Sequence, residues 1–313
     1  MVHLAELIEK HARPAMHRVP EWMMGLYRRH IIAFADGTSD IETQVFWLQS
    51  RNFSIDLRMP RQADHVAQAK PLAAYTREEL AVLAQYEGWV AQSVWDGEQL
   101  VWRDPTAFQL HDRWPEPAPL RRVGNCMIEF APSGAYVEDW RLLPSAPGPL
   151  VGLRLIDERE LGSARVLHRG GGLIVSGDHA GLVLGRAEAP VVSAPLRRHV
   201  LAATGNAEVL GPLMNFEASI AHGSMREGFR VTHSTCPGRI GQTAFQLDNF
   251  SLEADGTVTQ VVSCDGLVTR RHFTVDTLEP NCTWPLATPQ TRAASEWKAA
   301  EQATLDRYAH ALT

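Results

Sequence analysis

The sequence predicts a mainly β protein that consists of two antiparallel barrels in tandem, with short helices at its N- and C-terminal ends. Two distant stretches, 124–141 and 247–270, each contain two strand-like runs joined by a short turn, at 131–134 and 254–256. Strand pairs joined by tight turns are the building units of antiparallel sheets and barrels. Strand-like runs recur in both halves without a strand–helix–strand rhythm, so a parallel sheet is not expected.

The first half begins with a helical pattern at 4–17 and continues mainly as strands. Thr76 and Glu79 have the spacing of a capping box, which predicts a second helix at 76–86. Asp96 and Gly97 form a turn dipeptide, which predicts a hairpin around them. The strand-like segments are 26–34, 43–49, 53–59, 89–95, 99–102, the hairpin at 124–141, 150–158, 164–168, 173–176 and 182–186.

The second half repeats the β pattern after a proline-containing stretch at 187–212, which is expected to be a linker or a short helix. Its strand-like segments are 214–221, 228–234, 242–248, 250–253, 258–264 and 267–275. A helix follows Pro289, and its Trp297 and Tyr308 are expected to dock it on the body of the protein. The first barrel domain, with the N-terminal helix, is therefore placed at 1–186, and the second, with the C-terminal helix, at 187–313.

Composition narrows the classes of partner. The chain has 313 residues, 45% hydrophobic and 21% charged, and a formal net charge of −6, which argues against a nucleic-acid partner. No apolar run is long enough for a membrane helix, and the N-terminus lacks the apolar core of a signal peptide. The four cysteines are far apart without metal-site spacing, which favours a cytoplasmic protein with free thiols. A homodimer is an open alternative to a monomer.

Short motifs in the first half resemble a known family. The segment LYRRHIIAFADGTSDIETQVFWLQSRNFSIDLRMP at 26–60 is followed by GWVAQSVWDGE and YVEDWRL. The matching positions are Glu42, Thr43, Val45, Leu48, Ser50, Asp56, Leu57 and Arg58. This pattern, mainly within 26–141, resembles the HRI1-like family, whose chains resemble two lipocalin-like (calycin-type) barrels in tandem. The resemblance implies that fold and implies no reaction.

The sequence lacks the usual catalytic motifs. It has no Gly-x-Ser-x-Gly elbow, no P-loop, no His-Glu-x-x-His and no Cys-x-x-Cys. The glycines at 170–172 do not have the spacing of a dinucleotide fingerprint. These absences argue against nucleotide-dependent and common hydrolase chemistry. We therefore expect no cofactor, with haem or another metal as the open alternative.

Two histidines in the second half are candidates for catalysis. By the two-residue period of a strand, His222 shares a face with Ala218 and Ile220, and His233 shares a face with Val231. If these faces line a barrel, both histidines could transfer protons or bind a metal or haem iron. The competing interpretation is that each is a hydrogen-bonded core histidine or a residue at a strand end near water.

Charged residues on strands of the first half are the other candidates. Arg58 and Arg141 could bind a ligand carboxylate through two hydrogen bonds each, and a buried Glu129 with a raised pKa could transfer a proton. This interpretation requires polar side chains to line the barrel lumen while the outer face packs on other elements. The alternative is a solvated outer face with weak cross-strand ion pairs.

Tryptophans concentrate in the first half, among them Trp47 and Trp140, and aromatic walls suit an apolar or aromatic ligand. The competing interpretation is an ordinary barrel core. The leading functional hypothesis is a cofactor-independent lyase, isomerase or dehydratase that acts by general acid–base catalysis on a small apolar or aromatic molecule. The alternatives are a non-catalytic binding protein for such a molecule and a protein-interaction module without an enclosed site.

Overall fold

A computed structural model describes residues 1–15, 19–110, 116–163, 165–190, 194–264, 266–288 and 291–310. The fold is mainly β, as predicted, with one closed antiparallel barrel of eight strands and a second, open antiparallel sheet. The first sheet contains β1 (Gly25–Phe34), β2 (Ser39–Asp40), β3 (Gln44–Gln49), β4 (Phe53–Met59), β5 (Glu87–Trp95), β6 (Gln99–Ala107), β7 (Ala118–Val123), β8 (Cys126–Phe130) and β9 (Tyr136–Leu142). The second contains β10 (Gly148–Glu160), β11 (Val166–Ser176), β12 (His179–Arg186), β13 (Glu217–Ser224), β14 (Gly228–Ser234), β15 (Phe250–Leu252), β16 (Val258–Cys264) and β17 (Leu267–Cys282).

The barrel closes because β1 pairs on one side with β3 and on the other with β9. The other strands follow in chain order from β3 to β9. Residues 60–86, which include a helix at Arg77–Leu83, connect β4 to β5, and the remaining connections are shorter. The two-residue strand β2 is an addition at the end of β1. Among the described residues, the join between β6 and β7 is the shortest in the wall, with Gln99↔Pro119 and Leu100↔Ala118 as its two pairs.

The second sheet has the order β14-β13-β12-β11-β10-β17-β16-β15 and does not close by pairing of its two end strands. The expected strand at 242–248 is wrong, because within the described residues only Thr243 forms an isolated bridge there, to Arg230. The two hairpins first noticed in the sequence are both present, as β8–β9 and as β15–β16.

The change from one sheet to the other comes between Leu142 and Gly148. Strands β10, β11 and β12 lie within the range 1–186 that the sequence assigns to the first barrel domain. In the structure they pair within the second sheet. Sequence pattern alone does not assign them, because an antiparallel strand has the same alternation in either sheet.

The helices are α1 (Leu4–Lys10), α2 (Arg77–Leu83), α3 (Leu196–Ala202), α4 (Ala207–Met214) and α5 (Arg292–His310). The predicted capping box of α2 is confirmed, with Glu79 N donating to Thr76 Oγ1 and Thr76 N donating to Glu79 Oε2. The expected docking of the C-terminal helix is wrong, because Trp297 is 61% exposed and Tyr308 is 70% exposed. The helix therefore carries a stripe of aromatic side chains that faces solvent.

The outer face of the barrel wall packs against one face of the second sheet. Phe53, Ile55 and Leu57 on β4 are fully buried there, in one cluster with Ile174 and Val183 of the second sheet. A separate apolar cluster lies on the other face of the second sheet, where α1 covers it, and a third lies inside the barrel. Strand β4 is thus enclosed on both faces.

Close approach between the two sheets depends on glycine at the contact. A Cβ atom on Gly88 of β5 would lie 2.4 Å from Ala218 Cβ of β13, and one on Gly181 of β12 would lie 2.9 Å from Leu48 Cδ2 of β3. Distances this short require backbone movement when the partner is a Cβ atom. The contact therefore admits no side chain at Gly88.

We predict that Gly88→Ala lowers the free energy of unfolding by about 1–3 kcal/mol, because it overpacks this contact. The matched control is Gly211→Ala in α4, where an added Cβ meets no atom within 4 Å. That variant should change the free energy of unfolding by less than about 1 kcal/mol, because the helix preference of alanine is opposed by crowding of its Cβ against the ring of Pro212. Urea unfolding of the two variants measures the difference, and equal stability of Gly88→Ala and the parent would contradict the packing argument.

Candidate functional site

The candidate site is the interior of the closed barrel. On β4 the polar side chains point into the barrel and the apolar side chains point out of it, the reverse of a strand whose outer face meets solvent. Asp56 and Arg58 alternate with the outward apolar residues of β4 and point inward. Asp56 lies opposite Trp47 on one side and Trp89 on the other, and Arg58 lies opposite Val45. On β4, polar side chains therefore line the lumen, as the first of the two interpretations requires.

Aromatic rings occupy the middle of the barrel. Trp47 and Trp140 are each 1% exposed, and their ring centroids are 5.7 Å apart in an edge-to-face arrangement. Trp102 lies 6.0 Å from Trp47 and 5.9 Å from Trp89, and Tyr27 lies 5.9 Å from Trp47. Such offset geometries are the ones that aromatic pairs favour. Trp47 and Trp140, which the sequence proposed as ligand-contacting residues, are thus brought together.

A chain of charged side chains runs beside these rings towards one end of the barrel. Arg29 donates from Nη1 to Glu138 Oε1 and from Nη2 to Asp40 Oδ2, at 2.9 Å in both cases. Arg58 donates from Nε to Asp56 Oδ1 at 2.9 Å. Glu138 is completely buried, whereas the side chain of Asp40 is 31% exposed at the end of the barrel. The chain therefore connects the interior to solvent.

Glu129 is a buried carboxyl group of altered acidity beside these charged side chains. It is 2% exposed and lies directly opposite Glu138 across the β8–β9 hairpin. Trp140 Nε1 donates to its Oε2 at 3.0 Å, and the Tyr136 hydroxyl donates to its Oε1 at 3.2 Å. Burial, and next the neighbouring carboxylate of Glu138, raise the pKa of Glu129 to about 8, although the Arg58 guanidinium acts in the opposite direction.

Some buried polar atoms of the barrel interior have no hydrogen-bond partner among the described residues. They are the indole Nε1 atoms of Trp89 and Trp102 and the Oε2 atom of Glu138. A buried donor or acceptor without a partner costs free energy, so such atoms usually bond to water or to a ligand. The barrel thus offers two donors and one acceptor beside the aromatic rings.

Apolar residues lie at the same end of the barrel as Asp40. Phe34, at the end of β1, is 41% exposed and lies opposite Tyr136 on β9. Ile41, next to Asp40, is 70% exposed. This end therefore combines an apolar rim with the outermost carboxylate of the charged chain.

Arg141 lies on the other side of the barrel wall from Arg58 and Glu129. On β9 the inward positions are Tyr136, Glu138 and Trp140, so Arg141 faces outward. Its side chain is 46% exposed and donates to Asp139 at 2.7 Å. The predicted carboxylate clamp by Arg58 and Arg141 is therefore not assembled, and the Arg58 fork is already engaged by Asp56.

His222 and His233 both lie outside the barrel lumen. His222 is exposed near the end of β13, where its ring lies 5.4 Å from that of His179. His233 contacts the outward ring of Phe46, with ring centroids 4.2 Å apart, and burial lowers its pKa to about 4. The two histidines therefore do not share a site with Glu129.

A bulge explains why the face of His233 was predicted wrongly. Ile220 pairs with His233 but the next residue, Ala221, pairs with Val231, so Thr232 is an extra residue in β14. An extra residue reverses the alternation beyond it. His233 consequently faces the barrel, whereas Val231 packs in the cluster on the opposite face of the sheet.

The sequence analysis missed Arg29 and Asp40 entirely and did not single out Glu138 as a site residue. The two-residue alternation of β9 could have identified Glu138, because it puts Glu138 on the same face as Trp140. Arg29 carries no such signal, because the register between β1 and β9 shifts between Arg29 and Ile31. Among the described residues, no group of His, Cys, Asp and Glu is arranged to hold a metal ion.

A concavity with a volume of about 540 Å³ lies on the second sheet, between the end of β10 and the turn that joins β15 to β16. Its lining mixes acidic and basic side chains, including Asp157, Glu253, Arg270 and His272. Among the described residues that line it there is no Trp, Tyr or Phe, and its buried carboxylate, Asp157, is paired with Arg159. The barrel is therefore the better candidate site.

Comparison with protein-family models, with curated proteins and with solved structures finds no match to this chain. The resemblance to the HRI1-like family stays a prediction. No helix among the described residues combines the length and the apolar character that spanning a membrane requires.

We predict that Glu129 makes the stability of the protein fall as the pH rises. The folded-state pKa of about 8 lies above the ordinary value of 4.5, so the folded protein holds this proton more tightly than the unfolded chain does. Its stabilising effect is complete below pH 4.5 and is lost as the pH rises to about 8. Glu129→Gln, which mimics the neutral form, should remove this dependence.

Thermal unfolding at about pH 6 and about pH 9 measures the effect. The difference in melting temperature between Glu129→Gln and the parent should move in favour of the variant by at least about 2 °C from the lower pH to the higher. Asp139→Asn on the outer face of the same hairpin is the control and should follow the parent. Parallel pH dependence of the parent and Glu129→Gln would contradict the assignment.

Proposed function

We propose that the closed barrel binds a small, largely apolar or aromatic molecule and that Glu129 transfers a proton to or from it without a cofactor. The observation that supports this most directly is a fully enclosed carboxyl group among tryptophan rings, held by the Trp140 N–H and the Tyr136 hydroxyl. Such a group can supply the proton transfer of a lyase, isomerase or dehydratase step. Nothing in this step requires a redox centre.

The acidity of Glu129 suits proton transfer near neutral pH. With a pKa of about 8, Glu129 is mainly protonated at pH 7 and can act as a general acid, and it becomes a general base as the pH rises through 8. A carboxyl group at its ordinary pKa would be ionised throughout this range and could serve only as a base.

The surrounding residues supply binding and orientation. The rings of Trp47, Trp89 and Trp102 offer flat apolar surfaces, and the Nε1 atoms of the latter two are donors without a partner among the described residues. A carbonyl or hydroxyl oxygen on the ligand would satisfy them. Ligand sites commonly combine apolar walls with a few such polar groups.

The second candidate function is binding without turnover. It is favoured by the engagement of Arg29 and Arg58 in ion pairs, because a charged network of this kind can fix a ligand without taking part in any chemistry. In this case Glu129 would be a hydrogen-bond donor to the ligand and no product would form.

We also infer that the second sheet is a calycin-type barrel opened at one seam, as the HRI1-like resemblance implies. Residues 241–249 lie between the edge strands β14 and β15. On one side Ala244 N donates to Phe229 O of β14 at 2.8 Å. On the other, N-terminal residues join this segment to β15, because Leu4 N donates to Leu247 O and Val2 N donates to Phe250 O, both at 2.7 Å. A non-strand segment thus occupies the place of the missing strand pairing.

The proposal predicts that the barrel opens the ring of 5-nitrobenzisoxazole, a planar aromatic probe. A base removes one proton from its C–H bond, the N–O bond breaks, and a nitrophenolate nitrile absorbs visible light. The rate should rise with pH through about 8, as Glu129 ionises. Glu129→Gln should lower it by about 100-fold or more.

Asp139→Asn should leave this rate unchanged, because Asp139 lies outside the lumen. Saturable binding of the probe, measured by tryptophan fluorescence, without ring opening would favour the binding protein over the enzyme. Absence of both binding and ring opening would contradict the proposal.

A further inference from the structure

The barrel interior holds more acidic than basic side chains. The described inward-facing groups include five carboxyl groups, Asp40, Asp56, Glu87, Glu129 and Glu138, and three guanidinium groups, Arg29, Arg58 and Arg122. Arg29 and Arg58 are already bonded to carboxylates, whereas Arg122, near the start of β1, donates to the Tyr27 hydroxyl and to backbone carbonyl oxygens. Even with Glu129 neutral, four carboxylates face three guanidinium groups, so the interior retains a negative charge.

One carboxylate oxygen in this interior lacks a partner among the described residues. Glu138 is 0% exposed, and it accepts from Arg29 through Oε1, whereas its Oε2 is buried without a hydrogen bond. A buried carboxylate oxygen is a strong acceptor, and leaving it unpaired is costly. A donor on a bound molecule would remove this cost.

Tryptophan rings next to these carboxylates add a second attraction for positive charge. Trp140 bonds to Glu129, and Trp47 packs edge-to-face on Trp140. The face of an indole ring carries negative electrostatic potential and attracts ammonium groups, most strongly in a desolvated site. Carboxylates and tryptophans together form the kind of site that recognises an amine.

We propose that the ligand of the barrel is an aromatic or apolar amine bound as its cation, with the ammonium group bonded to Glu138. This inference rests on the proposed function, and it replaces the carboxylate ligand that the sequence suggested. Asp40, on the exposed end of the charged chain, and the apolar residues Phe34 and Ile41 form the entrance.

The amine also changes the protonation of the site. The charged and titratable groups that face Glu129 are Glu138 and Tyr136 on β9 and Arg58 on β4. A cation bonded to Glu138 offsets the negative charge that opposes ionisation of Glu129. Binding should therefore release a proton from Glu129 at pH 7, where the group is mainly protonated.

Three probes of nearly equal size and different charge test the inference: 2-phenylethylamine, 2-phenylethanol and 3-phenylpropionate. Titration calorimetry at about pH 7 should show the amine binding at least about tenfold more tightly than the alcohol, and the acid most weakly. Titrations in two buffers of different ionisation enthalpy should show proton release with the amine and none with the alcohol. Glu129→Gln should abolish the release.

Glu138→Gln should lower the affinity for the amine by about tenfold while affecting the alcohol less. Asp40→Asn, at the exposed end, is a second variant in case Glu138→Gln does not fold. It should also lower the affinity for the amine. Asp139→Asn is the matched control and should bind as the parent does. Equal or tighter binding of the alcohol or the acid would overturn the amine inference and leave the proposed function standing. Failure of all three probes to bind would overturn both.

Discussion

The burial of one barrel wall on both of its faces is the constraint that determines the rest of the structure. The outward residues of β4 pack on the second sheet, so no side of this strand faces solvent. Its polar residues must therefore lie inside the barrel, where every charge needs a partner. The Arg58–Asp56 pair follows from this requirement. An enclosed polar lumen is thus a consequence of how the two sheets meet.

The charged chain inside the barrel is poorly explained by stability alone. Pairs such as Arg29–Glu138 gain little over well-packed apolar residues, because removing both charges from water is costly. The opposition of Glu129 and Glu138 adds repulsion that raises the pKa of one of them. An arrangement that costs stability and creates a group titrating near neutral pH is characteristic of functional sites. This reasoning supports binding and proton transfer in the barrel.

The sequence predicts local structure where neighbouring residues determine it. The capping box of α2 and the β3–β4 hairpin were predicted because each depends on a few adjacent positions. The sequence did not predict that β10 belongs to the second sheet, because its partner β17 lies more than a hundred residues away in the chain. The site was half predicted: Arg58, Glu129, Trp47 and Trp140 converge inside the barrel, whereas Arg141 faces outward. A one-residue bulge directs His233 at the outer face of the barrel, outside the lumen.

The charge excess and the altered acidity of Glu129 belong to a single mechanism if the ligand is a cation. Without ligand, burial and, next, repulsion from Glu138 keep Glu129 protonated at neutral pH. A bound ammonium group would offset the repulsion from Glu138, so ionisation of Glu129 is favoured when the ligand is in place. Linkage makes the effect reciprocal, because ionised Glu129 in turn strengthens the binding of the cation. An amine would therefore generate, on entering the barrel, the base that is positioned to act on it.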